Sequence, residues 1–315
     1  MISNKVLILE GGYNEEHKVS LQSSLEIQNV LKKNNVKFRV IQVNPKNFYK
    51  KILIFKNYVC FNALHGPFGE DGQIQKILKK NKIKFTHSGI NSSKICFDKI
   101  RAKEIIMKNN ILTPKFSLIK IKNLNKNELI KISNTYKKFV IKPNKSGSSF
   151  GIKIIKSKKD FINLINSIEL FKNKLDQHKE ILIEEYISGK ELTVSTLNFK
   201  KKIEALAVTE IKSKNIYFDY QAKYTKGYSK HILPAKLEKK IYLECLKLAV
   251  KVHSSLNCRS IARTDFIYDT KKKKIYFLET NTQPGLTSIS LLPEQAKYRN
   301  ISFKNVILGI LQNTN

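Results

Sequence analysis

About the first ninety residues alternate between apolar, strand-like runs and amphipathic, helix-like segments, and this feature restricts the fold more than any other. Strands are predicted at KVLILEGG, KFRVIQVN and YVCFNALHG, and helices at residues 20–34, with Ser20 as the N-cap, and at GQIQKILKKN. Strands and helices that alternate in this way form a parallel sheet with helices on both faces. The segment GGYNEE after the first strand lacks the GxGxxG spacing, which disfavours a nicotinamide dehydrogenase.

The pattern changes after a helix predicted at residues 92–110, where Pro114 opens a second block. The strands KFSLIK, KFVIKPN, SFGIKIIKS and EILIEEYI, with helices near 128–136 and 159–172, predict an α+β unit. A third block begins with ELTVSTLNF and IEALAVTEI and is interrupted by a polar, aromatic-rich stretch. It continues with a long amphipathic helix, two more strands and a final helix. These parts of the third block are residues 217–234, 237–256, SIARTDFIYD, KIYFLETN and 303–311.

The composition narrows the class of protein. The formal net charge of +34 first suggests a nucleic-acid-binding protein, but the lysines are scattered through every segment. This scatter indicates residue bias and solvated faces, so we expect no specific nucleic-acid partner. No apolar run approaches the roughly 18 residues of a membrane span, so we expect no membrane association. The cysteines show no metal-binding spacing and are expected to be reduced interior residues of a cytosolic protein; they are Cys60, Cys96, Cys245 and Cys258.

The sequence SIARTDFIYDTKKKKIYFLETN has two apolar strands flanking a lysine-rich turn, which is typical of a hairpin. If the strands pair about Lys272, Asp265 lies opposite Glu279. Arg263 then lies opposite Asn281, and all four share one face because residues i and i+2 of a strand do. Facing carboxylates repel unless a cation lies between them, and these oxygen ligands suit Mg²⁺ and, with less selectivity, Mn²⁺. A solvated strand face with acids there by chance is the alternative.

Two segments have features that suit a nucleotide. In VIKPNKSGSSFGIKII, Lys142 ends a strand before a Ser/Gly loop, where small residues let backbone N–H groups approach phosphate oxygens. It is not a P-loop, because GK[ST] is missing and a strand follows. In ILIEEYISGKELTV, a strand, an acidic edge and Glu191 could form a hinge that reads adenine through backbone groups and a ribose through the carboxylate. An ordinary turn and an ordinary strand end are the alternatives.

Two segments are expected at the carboxyl edge of the parallel sheet, where ligands bind in such folds. In NALHGPFGEDGQIQ, His65 follows a buried strand and enters a glycine-rich loop that leads into a helix. The first strand delivers Glu15, Glu16 and His17 to the same edge, and Glu16 is the candidate anchor for a cationic substrate group. For His65, a hydrogen-bonded structural histidine is the alternative.

The combination is more specific than any single motif. EGGYNEEHKVSLQSS, ALHGPFGEDG, FDKIRAK, VIKPNKSGSSFGI, LIEEYISGKELTV, FDYQAKY, ARTDF and FLETNTQPGLTSISLLP occur in the order seen in D-alanine–D-alanine ligases of the ATP-grasp superfamily. The chain resembles this family over essentially its whole length. The resemblance implies a three-domain ATP-grasp α/β fold, in which an N-terminal parallel-sheet domain is followed by two α+β domains that sandwich ATP. The implied domains are 1–95 for substrate binding, 96–190 as the central subdomain, and 191–315 with the metal site and a mobile loop at 217–234.

The resemblance also implies roles for individual residues. The expected ATP contacts are Lys99, Lys142, Ser148, Glu184, Glu185, Tyr186, Ile187, Glu191 and Lys223, the last reaching the γ-phosphate. The expected ligands of two Mg²⁺ or Mn²⁺ ions are Asp265, Glu279 and Asn281. Glu16 matches the residue that holds the first D-alanine's ammonium, Ser148 and Tyr224 match its hydrogen-bonded partners, and His65 matches the same pocket. Arg263 and the Gly285 N–H resemble oxyanion stabilisers, and Ser290 and Leu291 resemble the site for the second D-alanine's carboxylate.

The activity implied by the resemblance is ATP-dependent ligation of two D-alanines through an acyl phosphate, in a cytoplasmic enzyme of peptidoglycan precursor synthesis. A homodimer is also implied. Relatives that make D-alanine–D-lactate tend to have phenylalanine at the position of Tyr224, so tyrosine predicts the dipeptide. A carboxylate–amine ligase with a different second substrate, D-lactate or another amino acid, is the alternative. A non-catalytic nucleic-acid-binding protein is a further alternative, which the complete set of motifs disfavours.

Overall fold

The structure, a computed structural model, describes residues 5–147, 151–175, 177–199, 202–213 and 229–314. Within these residues the strands form three sheets, and each sheet consists of strands that are consecutive along the chain. No helix among the described residues is both long enough and apolar enough to cross a membrane. The four cysteines are all buried and in the free thiol form, as predicted.

The first sheet is parallel, with the strand order β2-β1-β3. Its strands are β1 (Lys5–Gly11), β2 (Lys37–Val43) and β3 (Val59–Asn62), and its helices are α1 (His17–Lys33), α2 (Phe48–Ile52) and α3 (Gln73–Lys80). Alternate residues of β1 point to opposite sides. Val6 and Ile8 pack in the same core as α1, whereas Leu7 and Leu9 pack in the core of α2 and α3. The predicted parallel sheet with helices on both faces is confirmed.

The predicted N-cap of the first helix is wrong. Helix α1 begins at His17 with Glu16 at the N-cap, and Ser20 lies inside the helix. The turn before the helix is stabilised by Asn14, whose Oδ1 accepts a hydrogen bond of 2.8 Å from the Glu16 N–H. The Ser20 hydroxyl accepts a hydrogen bond of 2.8 Å from the backbone N–H of Gly11, so it stabilises the glycine turn after β1 and not the start of the helix.

The single helix predicted at residues 92–110 is two helices, α4 (Ile90–Phe97) and α5 (Lys99–Lys108). They meet at Asp98, which has an extended backbone and whose carboxylate caps α5 by accepting from the Arg101 N–H. Aspartate is a favoured N-cap residue, and the amide of Asn144 holds this carboxylate with a hydrogen bond of 3.0 Å. The capping outweighs the continuous helical periodicity of the sequence.

The second sheet is antiparallel, with the order β4-β7-β5-β6. Its strands are β4 (Phe116–Lys120), β5 (Phe139–Pro143), β6 (Lys153–Ile155) and β7 (Glu180–Glu185). Its helices are α6 (Lys126–Tyr136), α7 (Lys158–Asn166) and α8 (Ile168–Lys174), the last two replacing the single helix predicted at 159–172. These elements share one core that contains Phe139, Ile141 and Ile183.

The third sheet is also antiparallel, with the order β10-β9-β8-β11-β12. Its strands are β8 (Lys190–Phe199), β9 (Lys202–Ser213), β10 (Ser229–Ile232), β11 (Ser260–Asp269) and β12 (Lys274–Asn281). Three helices follow or separate these strands: α9 (Lys239–Ser255), α10 (Leu291–Tyr298) and α11 (Phe303–Gln312). Two of these elements were not predicted: β10, which lies inside the stretch expected to interrupt the block, and α10.

The third sheet is covered on both faces, and its two cores join it to different parts of the molecule. One core combines residues of β8, β9, β11 and β12 with α4, α5 and α9. The other combines its opposite face with α10, α11, α1 and the first sheet. The carboxyl edge of the first sheet is therefore held close to the end of the β11–β12 hairpin.

Candidate active site

The hairpin of β11 and β12 pairs in the predicted register at the end that carries the acidic residues. Asp265 lies opposite Glu279, and Arg263 lies opposite Asn281. A bulge between Asp265 and Phe266 shifts the register of the remaining hairpin. The bulge lies beyond the four polar residues, so they stay together at one end of the sheet.

Each of the two facing carboxylates has a cation of the protein beside it. The Arg263 guanidinium binds Asp265 at two points, with Nε 3.0 Å from Oδ1 and Nη2 2.9 Å from Oδ2. The Thr193 hydroxyl donates to Asp265 Oδ1 at 2.6 Å. Lys99 Nζ lies 3.5 Å from Glu279 Oε2. These cations reduce the repulsion that two facing carboxylates would otherwise have.

The donor chemistry at this end of the hairpin fits the predicted divalent cation. Asp265 and Glu279 supply carboxylate oxygens, and Asn281 supplies an amide oxygen two residues further along β12. Asn281 Oδ1 accepts a hydrogen bond of 2.6 Å from the Gln283 N–H, which fixes the orientation of the amide. The Glu279 side chain is 33% exposed, so its carboxylate can be reached by a ligand.

Lys99 is brought to this site by the break between α4 and α5. It is the first residue of α5, and its ammonium group is largely buried. Its Nζ donates a hydrogen bond of 2.7 Å to the carbonyl oxygen of Ser146, in the loop after β5. Lys99 therefore links the Ser/Gly loop of the second sheet to Glu279 of the third.

Glu184, on β7, lies between two buried lysines. Its Oε2 is 2.5 Å from Lys142 Nζ, and its Oε1 is 2.5 Å from Lys103 Nζ. Burial acts to raise the pKa of Glu184, but the two ammonium groups outweigh it and hold this pKa below its ordinary value. Burial likewise acts to lower the pKa of Lys142, but Glu184, with smaller contributions from Glu279 and Glu191, raises it. Both predicted ATP-site residues are thus ionised in one network.

Lys103 is a member of this network that the sequence analysis missed. It is fully buried, and desolvation lowers its pKa to about 8 despite the opposing effect of Glu184. A signal was present, because Lys103 follows Lys99 by four residues in FDKIRAK and so lies on the same helix face.

The predicted hinge joins the second sheet to the third. Strand β7 ends at Glu185, whose N–H donates to the Lys115 carbonyl at 2.8 Å. The N–H of Tyr186 donates to the carbonyl oxygen of Lys138 at 3.0 Å. Ile187 is buried, and Glu191 lies one strand further on, in β8. The four consecutive residues therefore span the end of β7 and the start of the connection to β8, the first strand of the third sheet.

Glu16 is buried at the start of α1, and two glycines from different loops lie against its carboxylate. A Cβ atom at Gly66 would lie 2.6 Å from Glu16 Oε2, and one at Gly147 would lie 2.8 Å from the same oxygen. Gly66 also has a φ of +71°, which side chains other than glycine rarely adopt. The close approach of both loops requires glycine at these positions.

Glu70 is a second buried carboxylate beside Glu16, and the sequence analysis did not assign it a role. Burial raises its pKa and the charge of Glu16 raises it further, whereas a hydrogen bond with His65 opposes the shift. His65 Nδ1 is 3.4 Å from Glu70 Oε1, and its Nε2 is 3.3 Å from the Ser23 hydroxyl. The predicted pocket residue His65 therefore contacts Glu70. The GEDG segment after His65 was the available signal.

A cavity unites the groups that the chain supplies from its three sheets. Its charged and amide lining residues are Glu16, Glu70, Lys99, Arg263, Glu279 and Asn281, beside Ser146 and Gly147 of the Ser/Gly loop. The predicted residues His65, Lys142 and Asp265 contact members of this lining or of the network behind it. The lining thus combines the carboxylates of Glu16, Glu70 and Glu279 with the cations of Lys99 and Arg263.

The loop after β12 carries the predicted oxyanion and carboxylate groups. Ser290 precedes α10, and its Oγ lies 2.7 Å from Thr287 Oγ1 and accepts from the Thr287 N–H at 3.2 Å. A Cβ atom at Gly285 would lie 2.7 Å from the same oxygen. Leu291 is buried and packs against Ile211. These residues lie together in one turn, but they are not part of the lining of the described cavity.

The same loop is tied to the edge of the first sheet through Gln283. Asn62 Nδ2 donates a hydrogen bond of 2.8 Å to Gln283 Oε1, and Gln283 Nε2 donates to the Leu64 carbonyl. Asn62 ends β3 and Leu64 precedes His65, so these bonds hold the Gly285 turn close to His65 and Glu70.

Three predicted site residues, Ser148, Lys223 and Tyr224, lie outside the described residues. Among the described residues, the carboxylates of Glu16 and Glu70 suit a substrate with an ammonium group. The cations of Lys99, Arg263 and Lys142 suit a polyanion. A site of this kind can hold an amino acid and a phosphorylated ligand next to each other.

Residues 105–312 match the family described as "D-ala D-ala ligase C-terminus". A curated relative, the D-alanine--D-alanine ligase of Pelagibacter ubique (strain HTCC1062), is 39% identical over 312 residues, covering 99% of this chain and 98% of that protein. The D-alanine--D-alanine ligase of Wolbachia pipientis wMel is 37% identical over 311 residues, covering 98% of this chain and 94% of that protein.

Two solved structures extend these similarities. The D-alanine--D-alanine ligase from Bacillus anthracis complexed with ATP is 27% identical, with a TM-score of 0.78, covering 98% of this chain and 96% of that chain. The VanG D-Ala:D-Ser ligase from Enterococcus faecalis is 26% identical, with a TM-score of 0.77 and 98% of each chain covered. The predicted ATP-grasp α/β fold is confirmed by these matches.

Proposed function

The chain belongs to the D-alanine–D-alanine ligase family, and we propose on that basis that it joins two D-alanine molecules into D-alanyl-D-alanine. ATP is converted to ADP and phosphate, and the product supplies peptidoglycan precursor synthesis. The observation that carries the proposal is the cavity in which the carboxylates of Glu16 and Glu70 face the cations Lys99 and Arg263. An amino acid and a nucleotide triphosphate need these opposite charges within one site.

In this proposal ATP lies between the second and third sheets. Lys99 and Lys142 bind its phosphates, the hinge at residues 184–187 reads the adenine, and Glu191 binds the ribose. These phosphate contacts are supported by the position of the Lys99 and Lys142 ammonium groups, which are buried beside the junction of the two sheets. Ser148 and Lys223, outside the described residues, complete the contacts in the proposal.

We assign the metal to Asp265, Glu279 and Asn281, as two Mg²⁺ or Mn²⁺ ions. When bound, the ions would neutralise phosphate charge. The Arg263 guanidinium lies beside Asp265, and the Lys99 ammonium lies beside Glu279. These cations balance the charge of the two carboxylates before a phosphate ligand and its metal ions bind.

The chemistry overcomes the poor reactivity of a carboxylate. The first D-alanine is held through its ammonium group by Glu16 with Ser148 and Tyr224. Its carboxylate oxygen attacks the γ-phosphoryl group of ATP, ADP leaves, and an acyl phosphate is formed. The free amine of the second D-alanine attacks the carbonyl carbon, and phosphate leaves. Arg263 and the Gly285 N–H stabilise the developing oxyanion. Ser290 and Leu291 bind the carboxylate of the second substrate, and His65 supports the first subsite through Glu70.

Other parts of the proposal concern organisation. The chain is divided into domains 1–95, 96–190 and 191–315, and two copies form a homodimer. Of the loop expected at 217–234, residues 217–228 lie outside the described residues and 229–232 form β10. The location is cytoplasmic, where ATP is available. The high positive charge serves no specific nucleic-acid partner in this proposal.

A coupled ADP-release assay with ATP, Mg²⁺ and D-alanine tests the activity. We expect ADP release that depends on D-alanine, and D-alanyl-D-alanine as the product. Activity confined to L-amino acids would move the assignment to another amino-acid ligase. Tight, strongly salt-dependent RNA binding without D-alanine-dependent ADP release would favour the nucleic-acid alternative.

The acceptor is tested by product analysis with D-alanine, D-lactate and D-serine in competition near neutral pH. The hydroxyl of Tyr224 can hydrogen-bond with the Ser148–Glu16 group, so we expect the D-alanine dipeptide to predominate. Predominant depsipeptide, or predominant D-alanyl-D-serine, would contradict the acceptor assignment and leave the ligase assignment intact.

A further inference from the structure

Lys103 is a fully buried lysine whose ammonium group lies close to three polar groups. Its Nζ is 2.5 Å from Glu184 Oε1, 2.6 Å from Thr113 Oγ1 and 3.4 Å from the Phe277 carbonyl oxygen. Thr113 and the Phe277 carbonyl accept hydrogen bonds from this ammonium group, and Glu184 is its ion-pair partner. The rings of Phe277 and Phe116 lie 5.7 Å and 5.9 Å from Nζ. An apolar residue of similar volume would fill the same space without desolvating a charge, so packing alone does not account for a lysine here.

The ammonium group lies where the two sheets of the proposed ATP site meet. Glu184 belongs to β7 of the second sheet, and Phe277 belongs to β12 of the third, two residues before Glu279. Thr113 also donates to the Phe277 carbonyl, at 2.9 Å, so the segment before β4 is fixed to the same point. Lys103 thus connects α5, which begins with Lys99, to both sheets.

The charges of the network determine what Lys142 can offer a ligand. Glu184 uses one carboxylate oxygen for Lys103 and the other for Lys142. Two ammonium groups and one carboxylate leave one net positive charge. Without Lys103, the single negative charge of Glu184 would fall entirely on Lys142 and cancel the charge that faces a nucleotide.

We propose that Lys103 is a positioning residue for ATP, which shares the charge of Glu184 so that Lys142 keeps a net positive charge for the phosphates. The proposal rests on the proposed ATP site and adds a residue that does not itself touch the nucleotide. Its effect is on ATP and not on the amino acids, because the charges that Lys103 acts on are those of Glu184 and, through it, Lys142.

The test compares Lys103→Met with Lys108→Met in the full chain. Lys108 is an exposed lysine of the same helix, so its substitution is the matched control. ATP affinity is measured by titration calorimetry with Mg²⁺, and the KM values for ATP and D-alanine come from the ADP-release assay. For Lys103→Met we expect ATP to bind at least about tenfold more weakly, with the KM for D-alanine within about twofold of wild type. Lys108→Met should match wild type in both.

A second variant separates positioning from a structural role. In Lys103→Met/Glu184→Gln the carboxylate charge is removed together with the lysine, so no unpaired anion remains to neutralise Lys142, although Lys142 loses its own partner. We expect this double variant to bind ATP at least about threefold more tightly than Lys103→Met, and less than about tenfold more weakly than wild type. The hinge is proposed to read adenine through its backbone, which the substitution of Glu184 leaves in place.

Three results would overturn the proposal. One is a folded Lys103→Met variant with a lowered melting temperature and unchanged ATP affinity, which would show a structural role alone. Another is a double variant that binds ATP no more tightly than Lys103→Met, and the third is a double variant at least tenfold weaker than wild type. Wild-type protein that fails to bind ATP would instead reject the proposed function, so the two failures are distinguishable.

Discussion

Glu70 and Glu184 are both buried glutamates near the proposed site, but their pKa values are shifted in opposite directions. Burial acts to raise the pKa of both. At Glu70 the carboxylate of Glu16 adds to this effect, and the contact with His65 only partly offsets it. At Glu184 the two lysines on either side outweigh burial and lower the pKa. The same residue type therefore has two different electrostatic environments within one active-site region.

The difference is that the charge of Glu184 is balanced by lysines of the protein, whereas an ammonium group of a ligand can balance the charge at Glu70 and Glu16. Glu184 has an ammonium group on each oxygen, and its network is internal to the fold. Glu70 and Glu16 line a cavity with two negative groups, where an incoming ammonium group would be stabilised. Asp265 and Glu279 lie between these cases, because a protein cation lies beside each of them and Glu279 is partly exposed.

The largest effect is expected for Glu184→Gln. This change leaves two buried lysines without their anion, and breaking a buried pair costs about 3–5 kcal/mol of folding free energy. The free energy of unfolding is measured by urea denaturation at pH 7. Glu169→Gln is the control, because Glu169 is 69% exposed and bonds Lys172 on the surface, where such pairs contribute about 0–1 kcal/mol. A loss below about 1 kcal/mol for Glu184→Gln would contradict the internal-network interpretation.

The facing carboxylates should behave differently, with large effects on activity and small effects on stability. For Asp265→Asn and Glu279→Gln we expect turnover at limiting Mg²⁺ to fall by at least about 100-fold, because charge stabilisation by the metal is lost. The free energy of unfolding should change by less than about 1 kcal/mol, since each change also removes carboxylate repulsion. Turnover is measured by ADP release over a range of Mg²⁺ concentrations. Near wild-type turnover in both variants would show that the metal assignment is wrong.

Glu70→Gln should have the opposite effect from Glu184→Gln, weakening substrate binding without reducing stability. The KM for D-alanine should rise about tenfold, because a charged partner for the ammonium group is lost. Stability at pH 7 should stay the same or increase, since a buried carboxylate beside Glu16 is removed. The measurements are the ADP-release assay and urea denaturation, with the exposed neighbour Glu15→Gln as control. A destabilisation as large as that of Glu184→Gln would remove the distinction between the two glutamates.

The sequence was sufficient for features that depend on local periodicity. The alternation in the first block predicts the parallel sheet, and the turn about Lys272 predicts that Asp265 faces Glu279. Both follow from where apolar residues recur and from the two-residue period of a strand. The identity of the substrate depended on the resemblance to a family, because spacing alone could suggest only an oxygen-ligand metal site.

The errors of the sequence analysis occur where a side chain bonds to something distant in sequence. Ser20 looked like a cap, but its hydroxyl bonds Gly11. Asp98 ends a helix that periodicity alone would continue, and it is held by Asn144 of another element. Lys103 looked like one lysine among many, and only the contact with Glu184 of the second sheet distinguishes it. Such pairings are set by tertiary packing, which a single sequence does not display.

The smallest and most discriminating effect is on the pH dependence of stability, compared between wild type and the variants Glu70→Gln and Glu184→Gln. The pKa of Glu70 is raised in the folded state, so its carboxylate ionises first in the unfolded chain, and its contribution to stability falls as the pH rises above the unfolded value of 4.5. The pKa of Glu184 is lowered, so its contribution is present above 4.5 and is lost as the pH falls through the lowered value.

As the pH rises above 4.5 towards 7, wild type should therefore lose stability relative to Glu70→Gln, and as the pH falls below 4.5 it should lose stability relative to Glu184→Gln. Urea denaturation of the three proteins at several pH values measures both slopes, and Glu169→Gln serves as the control for the surface charge. Slopes of the same sign would mean that burial alone governs both glutamates. Opposite slopes would mean that the neighbouring charges, Glu16 in one case and the two lysines in the other, decide which carboxylate is left for a ligand.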